Sequence, residues 1–278
     1  MFEAILLGII QGLTEFLPIS SSAHIRIAGE FMDKAQDPGA RFTAITQIGT
    51  ELAVLIFFRK DIATIVRAWL RGLRKSNVLN LQEKQASRMG WLIIIGSIPI
   101  VALGYFGRHL IENDLRSLWL IASVLIVFGV ILGIADKFGS SQKTLATLTN
   151  KHGLYYGLAQ AMALIPGVSR SGATIAMGRA LGYSRESALR YSFLLAIPAV
   201  FGSGFYQLSQ GLTEDVSTSV FSFAETVAAA AIAFVVGYLV IAWLIKFVMT
   251  KSFMPFIVYR IGLGSTLLVL LATGVINS

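Results

Sequence analysis

The chain has 278 residues, of which 55% are hydrophobic and only 14% charged, and it contains no cysteine. Soluble domains carry about 25% charged residues, so this composition excludes an ordinary soluble protein and indicates a polytopic α-helical membrane protein. The lack of cysteine excludes disulfides and thiolate metal sites.

The net charge of +8 arises mainly from one segment. Residues 59–90 hold eight basic residues against two acidic ones. Loops rich in Lys and Arg stay on the cytoplasmic side of a membrane. We therefore predict that this segment is a cytoplasmic loop near anionic lipid headgroups, and that nucleic acid is not a partner.

Six apolar segments have close to the ~20 residues that a helix needs to cross a bilayer. We predict membrane spans at residues 42–58, 91–107, 117–135, 189–207, 223–245 and 254–274. With residues 59–90 inside, alternation of these spans places both termini on the outer side. No basic segment precedes the first apolar residues, so we predict no cleavable signal peptide.

Two further apolar stretches are too short or too polar to be spans. Residues 2–17 end at Pro18, and residues 153–182 are interrupted near Pro166. The spans on either side of 153–182 begin and end inside, so this stretch must enter and leave the membrane on one side. It therefore reads as a re-entrant helix–loop–helix pair, with the N-terminal stretch as its partner from the outside.

The predicted fold is an all-α integral membrane protein with six transmembrane helices plus two re-entrant helix–loop–helix pairs, arranged as an inverted repeat. It forms a single polytopic domain, residues 1–278, with halves of approximately 1–136 and 151–278. Inverted repeats with interrupted helices place binding sites where the interruptions meet. Irregular backbone at that depth is tolerated only around protein or a polar cavity, so we expect the two breaks to face each other.

The first half of the N-terminal block offers ligands for a cation. Gln11 and Glu15 are four residues apart and share a helical face. An amide oxygen and a carboxylate suit a hard divalent cation, Mg²⁺ or Ca²⁺, and Glu15 is also a candidate acid or base. The alternative is that Glu15 turns to the external interface.

The second half of this block offers hydroxyls and an imidazole. Ser20, Ser21 and Ser22 precede a second short helix, and His24 follows Ser21 by three residues. A helix N-terminus attracts anions, so Ser20 and Ser22 are candidate phosphate ligands. We predict Ser21 as the nucleophile and His24 as the acid or base that orients it, with His24 itself or water as alternative nucleophiles.

The second block is a cradle for an anion. Gly167 permits close backbone approach, and Ser169, Ser171 and Thr174 add hydroxyls around Arg170. Arg170 lies at a helix break rather than at a span end, which argues against a side chain that only reaches for the interface. We predict that Arg170 is catalytic and grips phosphate through its planar guanidinium.

Tyr259 and Arg260 lie inside the predicted span 254–274. A charged side chain within an apolar span is costly. We expect these two residues to support the core or the polar cavity.

At these blocks the sequence resembles the undecaprenyl-diphosphate phosphatase family, also called the bacitracin-resistance protein family. The resemblance covers essentially the whole chain, including the runs from Gln11 to Pro18 and from Pro166 to Thr174, and the segments 193–198 and 252–256. The family has Glu or Gln at the first position of an E/Q-x-x-x-E motif. This chain has the neutral Gln11 there, so Glu15 is the only carboxylate of the motif.

The resemblance implies hydrolysis of undecaprenyl diphosphate to the monophosphate and phosphate with a divalent cation. It also implies a bacterial plasma-membrane enzyme whose site opens to the outer side, which recycles the carrier for cell-wall synthesis and confers bacitracin resistance. The expected partners are a polyprenyl diphosphate lipid and membrane lipids. The oligomeric state is left open, with a homodimer as the candidate.

The two alternative functions are a lipid flippase and a phosphatase of the broader lipid phosphatase group. A prenyl-phosphate flippase would use the same polar groups to bind a diphosphate headgroup without cleaving it. The broader lipid phosphatase group needs a second catalytic histidine after its Ser-Arg motif. No histidine follows His152, so that second function is excluded.

Overall fold

The computed structural model describes residues 1–32, 40–74, 79–107, 117–211 and 220–276. Within these ranges the chain is all-helical, with eleven α-helices and two short 3₁₀ helices. The described residues contain no strand beyond one isolated bridge between Lys143 and Tyr183.

The N-terminal part of the chain contains six of these helices. We label them α1 (Phe2–Thr14), α2 (Ser21–Gly29), α3 (Ala40–Phe57), α4 (Arg59–Arg74), α5 (Leu81–Phe106) and α6 (Leu118–Phe138). The predicted break after residues 2–17 is present, because the six residues 15–20 separate α1 from α2.

The C-terminal part repeats the pattern of two short helices followed by long ones. After a 3₁₀ turn at Leu145–Thr147 come α7 (Asn150–Ala161), a 3₁₀ turn at Met162–Leu164, α8 (Arg170–Ala180), α9 (Arg185–Gly211), α10 (Phe223–Thr250) and α11 (Met254–Ala272). The predicted interruption near Pro166 is thus present between α7 and α8.

Four helices are long and apolar enough to cross a membrane: α5, α6, α10 and α11. Helices α3 and α4 pass the same test only together, and they are bent by 78° at their junction. Among the described residues this gives four candidate spans, or five with the bent pair. The predicted span 189–207 lies within α9, which is not one of these candidates.

The predicted connection at residues 59–90 is largely helical rather than irregular. Most of this segment is helical, as α4 and the first turns of α5. Helix α5 begins ten residues before the predicted span 91–107, at a capping box: Asn80 Oδ1 accepts from Glu83 N at 2.9 Å, and Asn80 N donates to Glu83 Oε2 at 3.1 Å. An Asn followed three residues later by Glu is a start signal for a helix, and it was overlooked.

The short helices pack against the long helices of the other part of the chain. Helix α1 lies along α10, and α7 lies along α5. Glycines make both contacts close: a Cβ at Gly8 would collide with the carbonyl oxygen of Ala229, and a Cβ at Gly157 with that of Gly96. Small residues allow such close approach of helices within membranes.

Candidate active site

Arg260 of α11 holds the two helix breaks together. Its side chain is fully buried. The guanidinium Nη1 donates to Pro18 O at 3.2 Å and to Val168 O at 3.1 Å, and Nη2 donates to Gly167 O at 2.8 Å. Backbone carbonyls freed by the breaks are thus satisfied by one cation, and the two breaks meet as expected.

The two breaks have the same local geometry. Ser20 and Ser169 each precede the first residue of the following helix, with φ of 76° and 67°. In each break this serine lies close to the serine two residues later: the hydroxyl oxygens of Ser20 and Ser22 are 3.2 Å apart, and those of Ser169 and Ser171 are also 3.2 Å apart. Non-glycine residues in this region are strained, and such strain clusters at functional sites.

A buried charged cluster lies where the breaks meet. Arg170 Nη2 donates to Glu15 Oε1 at 2.9 Å and to Glu51 Oε1 at 2.8 Å. The side chains of Arg170, Glu15 and Glu51 are only 13%, 8% and 0% exposed. Arg170 Nη1 is buried and has no hydrogen-bond partner among the described residues, so one guanidinium nitrogen stays available to a ligand.

Glu15 faces this cluster rather than the external interface. Its Oε2 accepts from Ser21 Oγ at 2.7 Å and from Gln11 Nε2 at 2.8 Å. Gln11 and Glu15 therefore share a face as predicted. The amide oxygen Oε1 of Gln11 is buried without a partner in the described part of the chain.

Glu51 was missed from the sequence. It lies on α3, outside the E/Q-x-x-x-E motif, and supplies a second carboxylate beside Glu15. A lone acidic residue inside a predicted span was the available signal, because charged groups within apolar spans mark functional sites.

His24 contacts Tyr259, not Ser21. Its Nδ1 lies 2.7 Å from Ser20 O and its Nε2 lies 2.7 Å from Tyr259 Oη, and the two rings stack at a centroid distance of 5.5 Å. A carbonyl oxygen can only accept, so Nδ1 carries a proton and Nε2 of the neutral ring accepts from Tyr259. Ser21 has Glu15 as its partner instead of His24.

The remaining predicted phosphate ligands divide into two groups. Ser171 Oγ donates to Leu17 O at 3.1 Å and so lies at the junction of the breaks. Gly167 has φ of 94°, which suits glycine. Thr174 Oγ1 instead contacts Arg170 O at 2.8 Å and Ser192 Oγ at 2.5 Å, fully buried against α9, so the structure does not bring its hydroxyl to the charged cluster.

Arg170, Glu15 and Glu51 thus form one buried charged cluster at the helix breaks, and a guanidinium beside carboxylates and hydroxyls is a set of groups that can bind phosphate and a cation. The family model described as bacitracin resistance protein BacA matches residues 4–266. The chain belongs to this family.

Full-length relatives agree with this assignment. The undecaprenyl-diphosphatase of Pseudarthrobacter chlorophenolicus is 57% identical over 100% of this chain and 99% of its own. The undecaprenyl-diphosphatase of Micrococcus luteus is 56% identical over 99% of each chain. The undecaprenyl-diphosphatase 2 of Agrobacterium fabrum is 57% identical over 99% of this chain and 97% of its own.

Proposed function

We propose that this membrane protein hydrolyses undecaprenyl diphosphate to undecaprenyl phosphate and inorganic phosphate, which recycles the lipid carrier for cell-wall synthesis and confers bacitracin resistance. The names of its full-length relatives support the substrate. The observation that carries the chemistry is the continuous contact from Arg170 through Glu15 to Ser21, which joins a cation, a base and a hydroxyl in one buried cluster.

The proposed binding groups for the diphosphate are Arg170 and two helix N-termini. Arg170 Nη1 has no partner among the described residues, and a guanidinium binds phosphate oxygens strongly. Helices α2 and α8 begin at Ser21 and Arg170, so their free backbone N–H groups and positive dipole ends attract the same anion.

Ser21 is the proposed nucleophile and Glu15 its proposed base. The Ser21 hydroxyl already donates to Glu15 Oε2 at 2.7 Å. Attack of Oγ on the terminal phosphorus forms a P–O bond, passes the hydroxyl proton to Glu15, and breaks the bridging P–O bond so that the isoprenyl monophosphate leaves. Water then hydrolyses the phosphoserine and releases phosphate. His24 and a directly attacking water remain the alternatives.

A divalent cation fits the oxygens at Glu15 and Gln11. Gln11 Oε1 is buried and unpartnered in the described part of the chain, which is costly for an acceptor unless something binds it. Glu15 and Gln11 would hold Mg²⁺ or Ca²⁺ through oxygen ligands. When bound, the cation would neutralise part of the charge of the diphosphate.

Removal of divalent cations is expected to abolish activity. Arg170 supplies one positive charge, which cannot balance a diphosphate beside two carboxylates. The measurement is phosphate release by purified protein after chelation, followed by titration with Mg²⁺ or Ca²⁺. Full activity after thorough chelation would exclude the cation.

We propose that the finer fold has six spans and two re-entrant pairs arranged as an inverted repeat, in the plasma membrane with the site facing outward. The same spacing separates Gly8 from Gly157 and Ser20 from Ser169. The matched glycine contacts and the matched φ angles support two structurally equivalent halves.

Single introduced cysteines test the orientation on a chain that has none of its own. Arg74→Cys is expected to react with a membrane-impermeant thiol reagent only from the cytoplasmic side, because it lies in the basic segment. Val220→Cys is expected to react only from the outside. Labelling of Arg74→Cys in intact cells would reverse the proposed orientation.

The hydrolysis itself is tested by purified protein with undecaprenyl diphosphate. Wild type is expected to release phosphate and to leave the monophosphate lipid, whereas Arg170→Ala is expected to release almost none. The same assay with farnesyl diphosphate, which carries the same headgroup on a shorter chain, shows whether the rate depends on chain length. Movement of labelled lipid across vesicles without phosphate release would instead indicate a flippase.

A further inference from the structure

Glu51 is a buried carboxylate with an unused oxygen. Its side chain is 0% exposed, its Oε1 accepts from Arg170 at 2.8 Å, and its Oε2 is buried with no hydrogen-bond partner among the described residues. Burying an ionised carboxylate is expensive unless each oxygen is compensated. The second oxygen therefore points to a ligand that the protein alone does not provide.

The charge of the cluster points to the same ligand. Glu15 and Glu51 both accept from the single nitrogen Arg170 Nη2, within 2.9 Å of it. Two ionised carboxylates against one guanidinium leave an excess negative charge among side chains that are at most 13% exposed. Buried charges are normally paired or bound to metal, so a cation would complete this cluster.

Gln11 explains why a further carboxylate is needed. It occupies the first position of the E/Q-x-x-x-E motif that ends at Glu15, and its amide carries no charge. Hard divalent cations depend on the number of charged oxygen ligands for their affinity. A site of Glu15 and Gln11 alone would offer only one carboxylate.

We propose that Glu51 is a ligand of the divalent cation, and that it supplies from α3 the carboxylate that Gln11 lacks on α1. The proposal rests on the proposed function for its reaction but concerns cation binding itself. The unpartnered oxygens Glu51 Oε2 and Gln11 Oε1 are the acceptors that can bind a cation without breaking a contact of the described structure.

A different role for Glu51 would be to position Arg170 for phosphate. The two roles are distinguished by which affinity changes when Glu51 is replaced. A ligand of the cation changes the affinity for Mn²⁺ in the absence of phosphate, whereas a residue that only orients Arg170 changes the affinity for inorganic phosphate and leaves Mn²⁺ binding unchanged.

The experiment measures Mn²⁺ binding to purified full-length protein by electron paramagnetic resonance, with thermal unfolding as a check of folding. Glu51→Gln keeps an oxygen for Arg170 but is expected to weaken Mn²⁺ binding by on the order of 10–100-fold. The double variant Gln11→Glu/Glu51→Gln moves the carboxylate from α3 to α1 at constant net charge, and is expected to recover most of the lost affinity. Asp61→Asn is the matched control, because it removes a carboxylate that pairs with Arg190 outside the cluster.

Unchanged Mn²⁺ affinity in folded Glu51→Gln would overturn the proposal, and so would a folded double variant that binds no better than Glu51→Gln. If Glu51→Gln does not fold, Glu51→Asp is measured instead, because its shorter side chain keeps the charge but moves the carboxylate oxygens away from the cluster. Unchanged Mn²⁺ affinity in Glu51→Asp would also overturn the proposal. Phosphate release by wild type is measured separately, so a wild type that binds Mn²⁺ through Glu51 but releases no phosphate refutes only the proposed function.

Discussion

Arg170→Lys is expected to lower kcat/KM for undecaprenyl diphosphate by about 10²–10³-fold, which corresponds to ~3–4 kcal/mol of lost transition-state stabilisation. Lysine keeps the positive charge but offers one nitrogen where arginine offers a planar fork. In the structure Nη2 is occupied by Glu15 and Glu51, and Nη1 is the nitrogen left for phosphate. An ammonium has three N–H donors but only one nitrogen, so it cannot hold both carboxylates at the position of Nη2 and also place a donor at the separate position of Nη1.

The measurement is steady-state phosphate release with saturating divalent cation, so that the cation site does not limit the rate. Arg26→Lys is the matched control, because Arg26 lies on α2 and pairs with Glu30 four residues later. It is expected to stay within about twofold of wild type, because a partly exposed pair four residues apart on one helix contributes little and lysine keeps the charge. An Arg170→Lys variant with near wild-type kcat/KM would mean that charge alone suffices and that the guanidinium geometry is not used.

The helix breaks and their side chains were predictable because the signals are local. Pro18, Pro166 and the serine runs interrupt apolar stretches that are otherwise helical, and the structure contains both interruptions where they were expected. The meeting of the breaks followed from topology, since backbone carbonyls at such a depth need partners. The partner itself, Arg260, was expected only as a support of the core or cavity.

The missed features depend on the rotation of one helix against another. Residues 42–58 contain Glu51, but only the rotation of α3 about its axis decides whether that carboxylate faces Arg170 or lipid. Likewise the contact of His24 with Tyr259 joins residues far apart in sequence, and no local pattern indicates it. Periodicity predicts that a helix exists far better than it predicts which neighbour it contacts.

The matched breaks carry different chemistry at equivalent positions. Ser20 and Ser169 share the same unusual backbone conformation, and the residues that follow them are Ser21 and Arg170. The first residue of α2 is thus the proposed nucleophile, and the first residue of α8 is the proposed phosphate clamp. One repeated backbone geometry thus places the proposed nucleophile and the proposed phosphate clamp on the two oxygens of the same carboxylate, Glu15.

Ser21→Ala is expected to lower kcat by more than about 10⁴-fold, since loss of a nucleophile removes the covalent step. Its hydroxyl is the one that donates to Glu15, and it lies at the N-terminus of α2, where phosphate is drawn in. His24→Ala is expected to lower kcat by about 10²–10⁴-fold as loss of an acid or base. Ser123→Ala is the matched control, because the Ser123 hydroxyl is exposed and donates to Trp119 O on its own helix, and it is expected to stay near wild-type activity.

The nucleophile can be identified directly by trapping the labelled intermediate with a substrate whose terminal phosphate carries ³²P. Phosphoserine survives acid, whereas phosphohistidine is lost in acid and survives base, so the stability of the label separates Ser21 from His24. An acid-stable label that disappears in Ser21→Ala is the expected result. If Ser21→Ala keeps most of its activity while His24→Ala loses all of it, the serine nucleophile is wrong. His24 Nε2 would then attack after Tyr259 moves away, or His24 would activate a water in its place.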